Sequence, residues 1–143
     1  MRVTYQTTAA RLALALLLAT SAGCEETPTT PTGPVDTRTS LTFSTTLPIG
    51  GSAWRSFKTA RIGPVTARLT FLSPDAEAVI ELAVGTFDGT TCTVTTAVQT
   101  APTEDEEAPQ ISRTLAAGTY CVRVADLGNL TRINTFGVVV VMP

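Results

Sequence analysis

The alternation of apolar and polar side chains in short segments after residue 39 is the feature that most constrains the fold. In VTARLTFL every second residue is apolar, which would place on one face Val65, Ala67, Leu69 and Phe71. The segments AVIELAV and TYCVRVAD alternate in the same way. A period of two is typical of antiparallel strands that cover a core with one face and contact water with the other. The pattern therefore predicts antiparallel β-structure in which these residues, Phe71 included, face the core.

Further segments have the composition of strands, and turn-forming clusters separate them. The strand candidates are SLTFSTT, AWRSFKT, TCTVTT and ISRTL. The segment TFGVVVVMP is apolar throughout, which predicts a central strand that is buried on both faces. The turn clusters are PIGGS, RIGP, SPDAE, FDGT, AAG and DLGN. Seven or eight short strands without a helical period predict an all-β fold, a single antiparallel β-sandwich.

The N-terminal residues have the pattern of a secretory signal. Two arginines precede the apolar run LALALLLAT, and the small residues SAG follow it. A basic start, a short apolar run and small residues before a cleavage site describe a signal peptide. A membrane-spanning helix is the alternative, but it needs about 20 apolar residues, whereas the uncharged stretch 12–24 holds thirteen. Residues 1–23 are therefore predicted to be the signal peptide of an exported protein.

The residues TSAGC, at positions 20–24, resemble the lipobox of bacterial lipoproteins. The resemblance implies that Cys24 is the lipid attachment site, linked to a diacylglycerol and acylated, with palmitate expected, on the amine that cleavage exposes. Ser21 departs from the leucine that is usual in the motif. Several acyl chains anchor a protein stably, whereas one chain binds reversibly. Glu25 stands where inner-membrane lipoproteins commonly carry aspartate, so the resemblance points to the outer membrane; a secreted protein without lipid is the alternative.

Residues 24–38 contain the segment EETPTTPTGPVDTR, in which Pro28, Pro31 and Pro34 recur every third residue. Proline at this spacing favours extended polyproline II, and the segment has no apolar run to bury. At ~3.1 Å per residue its fourteen residues would span up to ~43 Å. The segment is predicted to be a disordered tether between the lipid anchor and one domain, residues 39–143.

Assigning Cys24 to lipid leaves Cys92 and Cys121 as an even pair in an oxidising compartment, where disulfides persist. We therefore predict a disulfide that joins either two neighbouring strands or the two sheets; two free thiols are the alternative. Chain entropy would give a loop of this length ~3–4 kcal/mol of stabilisation. Because the chain has no histidine and the cysteine spacing fits no zinc pattern, a metal site is not expected there.

The composition argues against catalysis and against nucleic-acid binding. Without histidine, no Ser-His-Asp or Cys-His arrangement can form. The acidic residues considered as a pair for glycoside hydrolysis, Asp75, Glu77 and Glu81, straddle a turn and a solvated strand face. Removal of the signal peptide leaves eight basic against twelve acidic residues, a net charge of about −4, and no basic patch for phosphates. We expect neither an enzyme nor a nucleic-acid-binding protein, and no cofactor.

The densest charge cluster lies in TEDEEAP, where residues 104–107 are all acidic. Calcium takes several oxygen ligands, and calcium-binding loops space their acidic residues alternately and contain a glycine. In this segment the acidic residues are consecutive and glycine is absent. Between Pro102 and Pro109 the segment is predicted to be an exposed, self-repelling loop, with calcium binding as the alternative.

Trp54 is the only tryptophan in the chain. Its ring packs against the core or its rim in one interpretation, and is a stacking platform for a sugar ring in the other. Alternation places Trp54 and Phe57 on opposite faces. If Phe57 faces the core, Trp54 is predicted to be partly exposed.

Three segments, LPIGGSAWRSFKTARIGPVTARLTFLSP, AVIELAV and LAAGTYCVRV, resemble the bacterial pre-peptidase C-terminal domain over most of residues 41–142. The features that carry the resemblance are Gly50 and Gly51 before the aromatic residues Trp54 and Phe57, then Gly63, and a late strand with Gly118, Thr119 and Tyr120. The resemblance implies a jelly-roll-like β-sandwich. Members often carry paired aspartates where this chain has Val79 and Glu81, so the family's acidic site is not expected here. No peptidase segment accompanies these strands, and a protease association is not expected either.

Together these features predict a lipid-anchored, non-catalytic β-sandwich of the bacterial envelope that binds a glycan, a peptide or a protein partner. The alternative is a structural accessory that packs permanently in an envelope assembly. A transient binder should be a monomer without its signal and lipid, and this is the state we expect. An accessory should copurify with a fixed partner or expose a large apolar patch.

Overall fold

The structure is a computed structural model that describes residues 37–143. The predicted signal peptide, Cys24 and nearly all of the predicted tether lie outside the described residues. The described part contains eight strands: β1 Thr39–Leu47, β2 Ser52–Thr59, β3 Gly63–Ser73, β4 Ile80–Phe87, β5 Cys92–Thr100, β6 Ile111–Leu115, β7 Gly118–Ala125 and β8 Asn134–Met142. No helix that could cross a membrane is found among these residues.

The strands form two antiparallel four-stranded sheets. Sheet A has the order β1-β8-β3-β6, and sheet B has the order β2-β7-β4-β5. Apart from the β4–β5 hairpin, each strand is followed along the chain by a strand of the other sheet. This arrangement is that of an eight-stranded jelly roll. The predicted all-β, jelly-roll-like antiparallel sandwich is therefore confirmed.

The core lies between the sheets and consists of alternate residues from both. Sheet A contributes Phe43, Leu69, Phe136 and Val138, and sheet B contributes Phe57, Leu82, Val122 and Val124, all buried. The rings of Phe43 and Phe136 meet edge to face, with their centroids 5.3 Å apart. Burying each large apolar side chain stabilises the fold by ~1.5–3 kcal/mol. The alternating apolar residues of the sequence are thus the residues that contact this core.

The prediction that Phe71 faces the core is wrong. The pairing of β3 with β8 shifts register between Leu69 and Phe71, as it does at a β-bulge. An extra residue in one strand reverses the faces that follow it, so Leu72 is buried instead and Phe71 is 43% exposed. The Phe71 ring lies on the outer face of sheet A over Gly137, where the Cβ of any other residue would collide with it.

The prediction for the last strand is correct in position and partly wrong in burial. Strand β8 is central, because it pairs with both β1 and β3. Its inward residues Phe136, Val138 and Val140 are buried. Its outward residues Val139 and Val141 are only half-buried, because no further layer of the described chain covers sheet A. The run of valines therefore leaves apolar surface on the outside of the sandwich.

Candidate functional site

A groove of about 240 Å³ lies on the outer face of sheet A. It is lined by strand residues Ser40, Thr66, Arg68, Val139 and Val141, and by the loop residues Glu106 and Pro109. The strand register explains why these side chains meet. Ser40 and Thr66 both pair with Val141, and Arg68 pairs with the next outward valine, Val139. The short hydroxyl side chains on both sides of Val141 leave the space that forms the groove.

Arg68 is the cation among the lining residues. Its side chain is 13% exposed, and its Nη1 donates a hydrogen bond to the Thr103 carbonyl at 3.1 Å. Its Nη2 donates to Glu106 Oε1 at 3.4 Å. The Glu106 side chain is 87% exposed. Arg68 is therefore held in place by burial and by its bond to the Thr103 carbonyl, whereas most of the Glu106 side chain lies in solvent.

The loop 101–110 forms the wall of the groove because it is bound to the edge of β3. Strand β6 pairs with β3 only as far as Ala67, which leaves the edge of β3 open beyond that point. There the Thr103 amide donates to the Leu69 carbonyl at 3.0 Å, and Gln110 Oε1 accepts from the Leu69 amide at 2.9 Å. Gln110 Nε2 also donates to the Ala101 carbonyl at 3.2 Å. The loop is thereby fixed beside Arg68.

The acidic cluster is an exposed loop, as its composition predicts. Residues 104–107 are all exposed, and the Glu107 amide donates to Asp105 Oδ1 at 2.9 Å. Within residues 37–143 there is no group of three or more acidic, cysteine or histidine side chains placed to hold a metal ion. The contact that the cluster makes with the sandwich is the pair between Glu106 and Arg68.

Cys92 and Cys121 form a disulfide with Cα atoms 5.8 Å apart. The bond joins β5 to β7, which lie in the same sheet with β4 between them. It therefore links neither two neighbouring strands nor the two sheets. The first residues of β5 fold over β4 at Gly85, where a Cβ would collide with the Thr93 carbonyl. Glycine at this position allows the close approach, which the spacing of the cysteines alone does not reveal.

The remaining outer face of sheet B is occupied by aromatic and charged side chains. Trp54 is 42% exposed and packs on Phe87 with ring centroids 5.0 Å apart. Phe57 is buried, so the conditional prediction that Trp54 is then partly exposed is confirmed. Arg123 Nη1 lies 3.5 Å from Glu81 Oε1, and both residues are on strands. These side chains thus contact one another on the outer face of sheet B.

Two of the three carboxylates considered for catalysis are engaged with cations and amides. Asp75 Oδ1 lies 3.3 Å from Arg132 Nε, and Asp75 Oδ2 accepts from Asn134 Nδ2 at 2.9 Å. Glu81 contacts Arg123. Glu77 is exposed. These contacts give Asp75 and Glu81 structural roles at the end of the sandwich and on sheet B.

Asp126 fixes two loops at one end of the sandwich. Its carboxylate accepts from the amides of Gly50 at 2.7 Å, Gly128 at 3.0 Å, Asn129 at 2.8 Å and Leu130 at 3.1 Å. Burial opposes ionisation of this residue, but the amide hydrogen bonds outweigh that effect and hold the pKa of Asp126 below its ordinary value of 3.8. Amides of Thr91 and Thr90 likewise lower the pKa of Asp88 in the β4–β5 turn.

Sequence reasoning did not identify the groove. Arg68 sits at an outward position of an alternating strand, where an arginine normally meets only water, so nothing in its neighbourhood distinguishes it. Phe71 is assigned to the wrong face by the same alternation, because a bulge has no reliable signature in one sequence.

A scan against protein-family models found no match, and a search of the curated proteins found none either. The resemblances to the lipobox and to the pre-peptidase domain therefore stay predictions.

Proposed function

We propose that this protein is a bacterial lipoprotein whose jelly-roll domain is a non-catalytic binding module, held at the outer membrane by lipid on Cys24. The groove on sheet A is the observation that carries the binding role. It combines an apolar floor, two hydroxyl groups and a fixed arginine, which is the mixture typical of small-ligand sites. The Cys92–Cys121 disulfide supports an oxidising compartment.

The test of the anchor is metabolic labelling with radioactive palmitate in a bacterial host that processes lipoproteins. The full chain should incorporate label and sediment with membranes, because several acyl chains bind a bilayer stably. The Cys24→Ala variant should carry no label and should be found in the soluble fraction. Equal labelling of both chains would contradict the assignment of Cys24.

The test of the groove is crosslinking and affinity capture from native membranes, with Cys24→Ala as the mislocalised control. Val139→Lys places a long charged side chain in the groove and should abolish capture of the ligand. Thr46→Lys makes the same change at an exposed outward position of β1 outside the groove, and should leave capture unchanged. Equal capture by both variants would contradict the proposal.

A structural accessory is the second candidate, and one observation favours it. Four exposed aliphatic side chains lie in loops at the same end of the sandwich: Ile49, Val79, Leu127 and Ile133. The loops are tied together, since Asn129 Nδ2 donates to the Val79 carbonyl at 2.8 Å. A fixed partner would cover such residues. Copurification of a stoichiometric partner that Leu127→Asp releases and Val139→Lys does not would favour this second function.

A further inference from the structure

The Arg68–Glu106 pair differs from a structural ion pair in how its two members are held. The arginine is 13% exposed and bonded to the Thr103 carbonyl, whereas the glutamate is 87% exposed. The contact between them is one hydrogen bond of 3.4 Å. Exposed ion pairs of this kind contribute little to stability, because water screens them and long side chains lose freedom. Another carboxylate could therefore replace that of Glu106 at small cost.

Arg68 is prepared to bind a carboxylate more tightly than it binds Glu106. A guanidinium has five N–H donors in a planar fork that matches both oxygens of a carboxylate. Glu106 uses one of these donors, and Thr103 another. Since the arginine is already ordered by the fold, an entering carboxylate would not have to order it. The guanidinium therefore favours an anion at this position of the groove, against the repulsion of the neighbouring acidic residues 104–107.

The rest of the groove indicates which kind of anion it is. Ser40 and Thr66 lie on the two sides of Val141, and both Val139 and Val141 are half-buried. On the same outer face, the exposed ring of Phe71 lies over Gly137, the next outward residue of β8. Hydroxyl groups that bond to hydroxyl groups, beside aliphatic and aromatic surface, suit a sugar ring. The groove, about 240 Å³, is smaller than the ~300–1,000 Å³ of sites for drug-sized ligands, which suits a small unit such as one sugar ring.

We propose that the groove binds a carboxylated saccharide through Arg68, and that Glu106 occupies the place of the saccharide carboxylate until the ligand displaces it. This inference rests on the proposed binding function and assigns a ligand class to the same groove. The Glu106 side chain already extends into solvent, so its displacement needs no movement of the strands.

The probe is an oligogalacturonate of three units, with the neutral galactose trisaccharide as its matched control. Binding to the full chain in mild detergent is measured by calorimetry at low and at physiological ionic strength. The acidic probe should bind and the neutral one should bind at least about tenfold more weakly, since the arginine contact is charge-assisted. Because salt screens both the attraction of the arginine and the repulsion of the acidic loop, the acidic and the neutral probe are compared at each ionic strength.

Two variants of the pair and two controls test the mechanism. Glu106→Gln should raise the affinity for oligogalacturonate by about two- to fivefold, the size of an exposed ion pair. Arg68→Lys should lower it by about tenfold, because lysine lacks the bidentate fork. Glu104→Gln makes the same charge change in the same loop, and should have a smaller effect than Glu106→Gln. Arg123→Lys alters the arginine of sheet B and should have none, and thermal unfolding verifies that each variant is folded.

The inference is overturned if Glu106→Gln and Glu104→Gln change affinity equally, or if Arg68→Lys leaves it unchanged. If the neutral trisaccharide binds as well as the acidic one and Thr66→Val weakens both, the ligand class is wrong and the proposed binding function stands. Binding of an acid-terminated peptide in place of the saccharide, dependent on Arg68, would likewise overturn the ligand class alone. If no probe binds and Val139→Lys also leaves capture from membranes unchanged, both the inference and the proposed function fail.

Discussion

The two outer faces of the sandwich both carry an arginine–glutamate pair, and the pairs differ in where the glutamate is held. On sheet B, Arg123 and Glu81 both project from strands and are 33% and 21% exposed. On sheet A, Arg68 projects from a strand but Glu106 comes from a loop. The distances are alike, 3.5 and 3.4 Å. The sheet B pair therefore joins two strand residues, whereas the sheet A pair joins a strand residue to an exposed loop residue.

The faces also differ in what else lies on them. Sheet B carries the disulfide between β5 and β7 and the Trp54–Phe87 contact. Sheet A carries Phe71 over Gly137 and the groove. Sheet B thus carries covalent and aromatic contacts on its outer face, whereas sheet A carries the groove. Changes at the disulfide, at two glycines and at the two ion pairs test this contrast, and a change at Asp126 tests the end of the sandwich. The first should have the largest effect.

Replacing both Cys92 and Cys121 by alanine should lower the free energy of unfolding by about 3–4 kcal/mol. The disulfide closes a loop across 29 positions of sequence, and its loss increases the freedom of the unfolded chain. Urea unfolding measures the change. Reduction of the wild type should produce the same loss and should not affect the variant further. Hydrogen exchange should accelerate in β5 before β1 does, and equal acceleration in both would contradict the contrast between the faces.

Alanine at Gly85 should destabilise the domain more than alanine at Gly137. At Gly85 the new methyl group meets the Thr93 backbone, which cannot move without disturbing β5, and at Gly137 it meets the Phe71 ring. We expect about 3 kcal/mol for Gly85→Ala and about 1–2 kcal/mol for Gly137→Ala, within the range of overpacking.

Urea unfolding compares these two glycine variants. A double variant with Phe71→Ala should restore much of what Gly137→Ala loses, because it removes the ring that the methyl group meets. Failure of that rescue would show that the ring is not the cause.

Asp126→Asn should cost about 2–3 kcal/mol at neutral pH, because hydrogen bonds from several amides to a buried charge are weakened together. Since the pKa of Asp126 is below 3.8 in the folded protein, its stabilisation is present above pH 3.8 and is lost as the pH falls through the folded value. The variant should therefore lose less stability on acidification than the wild type. Urea titrations across the acid range measure this, and parallel curves would contradict the assignment.

The two ion pairs should differ in stability although their distances are alike. Glu81→Gln should cost up to about 1 kcal/mol, because both partners are half-buried on strands, and Glu106→Gln should cost close to zero. The midpoint of urea unfolding separates the two values when the m-value is unchanged. Equal costs would show that the loop pair is structural, and would remove the contrast from which the displaceable carboxylate is inferred.

Much of the fold follows from the sequence because burial is periodic. Residues such as Ile80, Leu82 and Val84 alternate without interruption, and all three are buried. The alternation fails at Phe71, since a bulge inserts one residue without changing the composition around it. The cysteine pair is predicted by counting the cysteines that remain after Cys24 is assigned to lipid. Which strands the disulfide joins depends on the close approach of β5 to β4 at Gly85. Contacts of this kind join residues far apart in sequence, and no local pattern encodes them.

The sequence by itself determined that the chain forms short antiparallel strands, that two cysteines pair and that the acidic segment lies in a loop. Each of these results depends on side-chain period, residue count or local charge, which are properties of neighbouring residues. Only the tertiary structure decided that Arg68 lies in a groove on sheet A and that Glu106 reaches it across 38 positions of sequence. Those features depend on which strands pair and in which register, because register brings distant side chains to one surface.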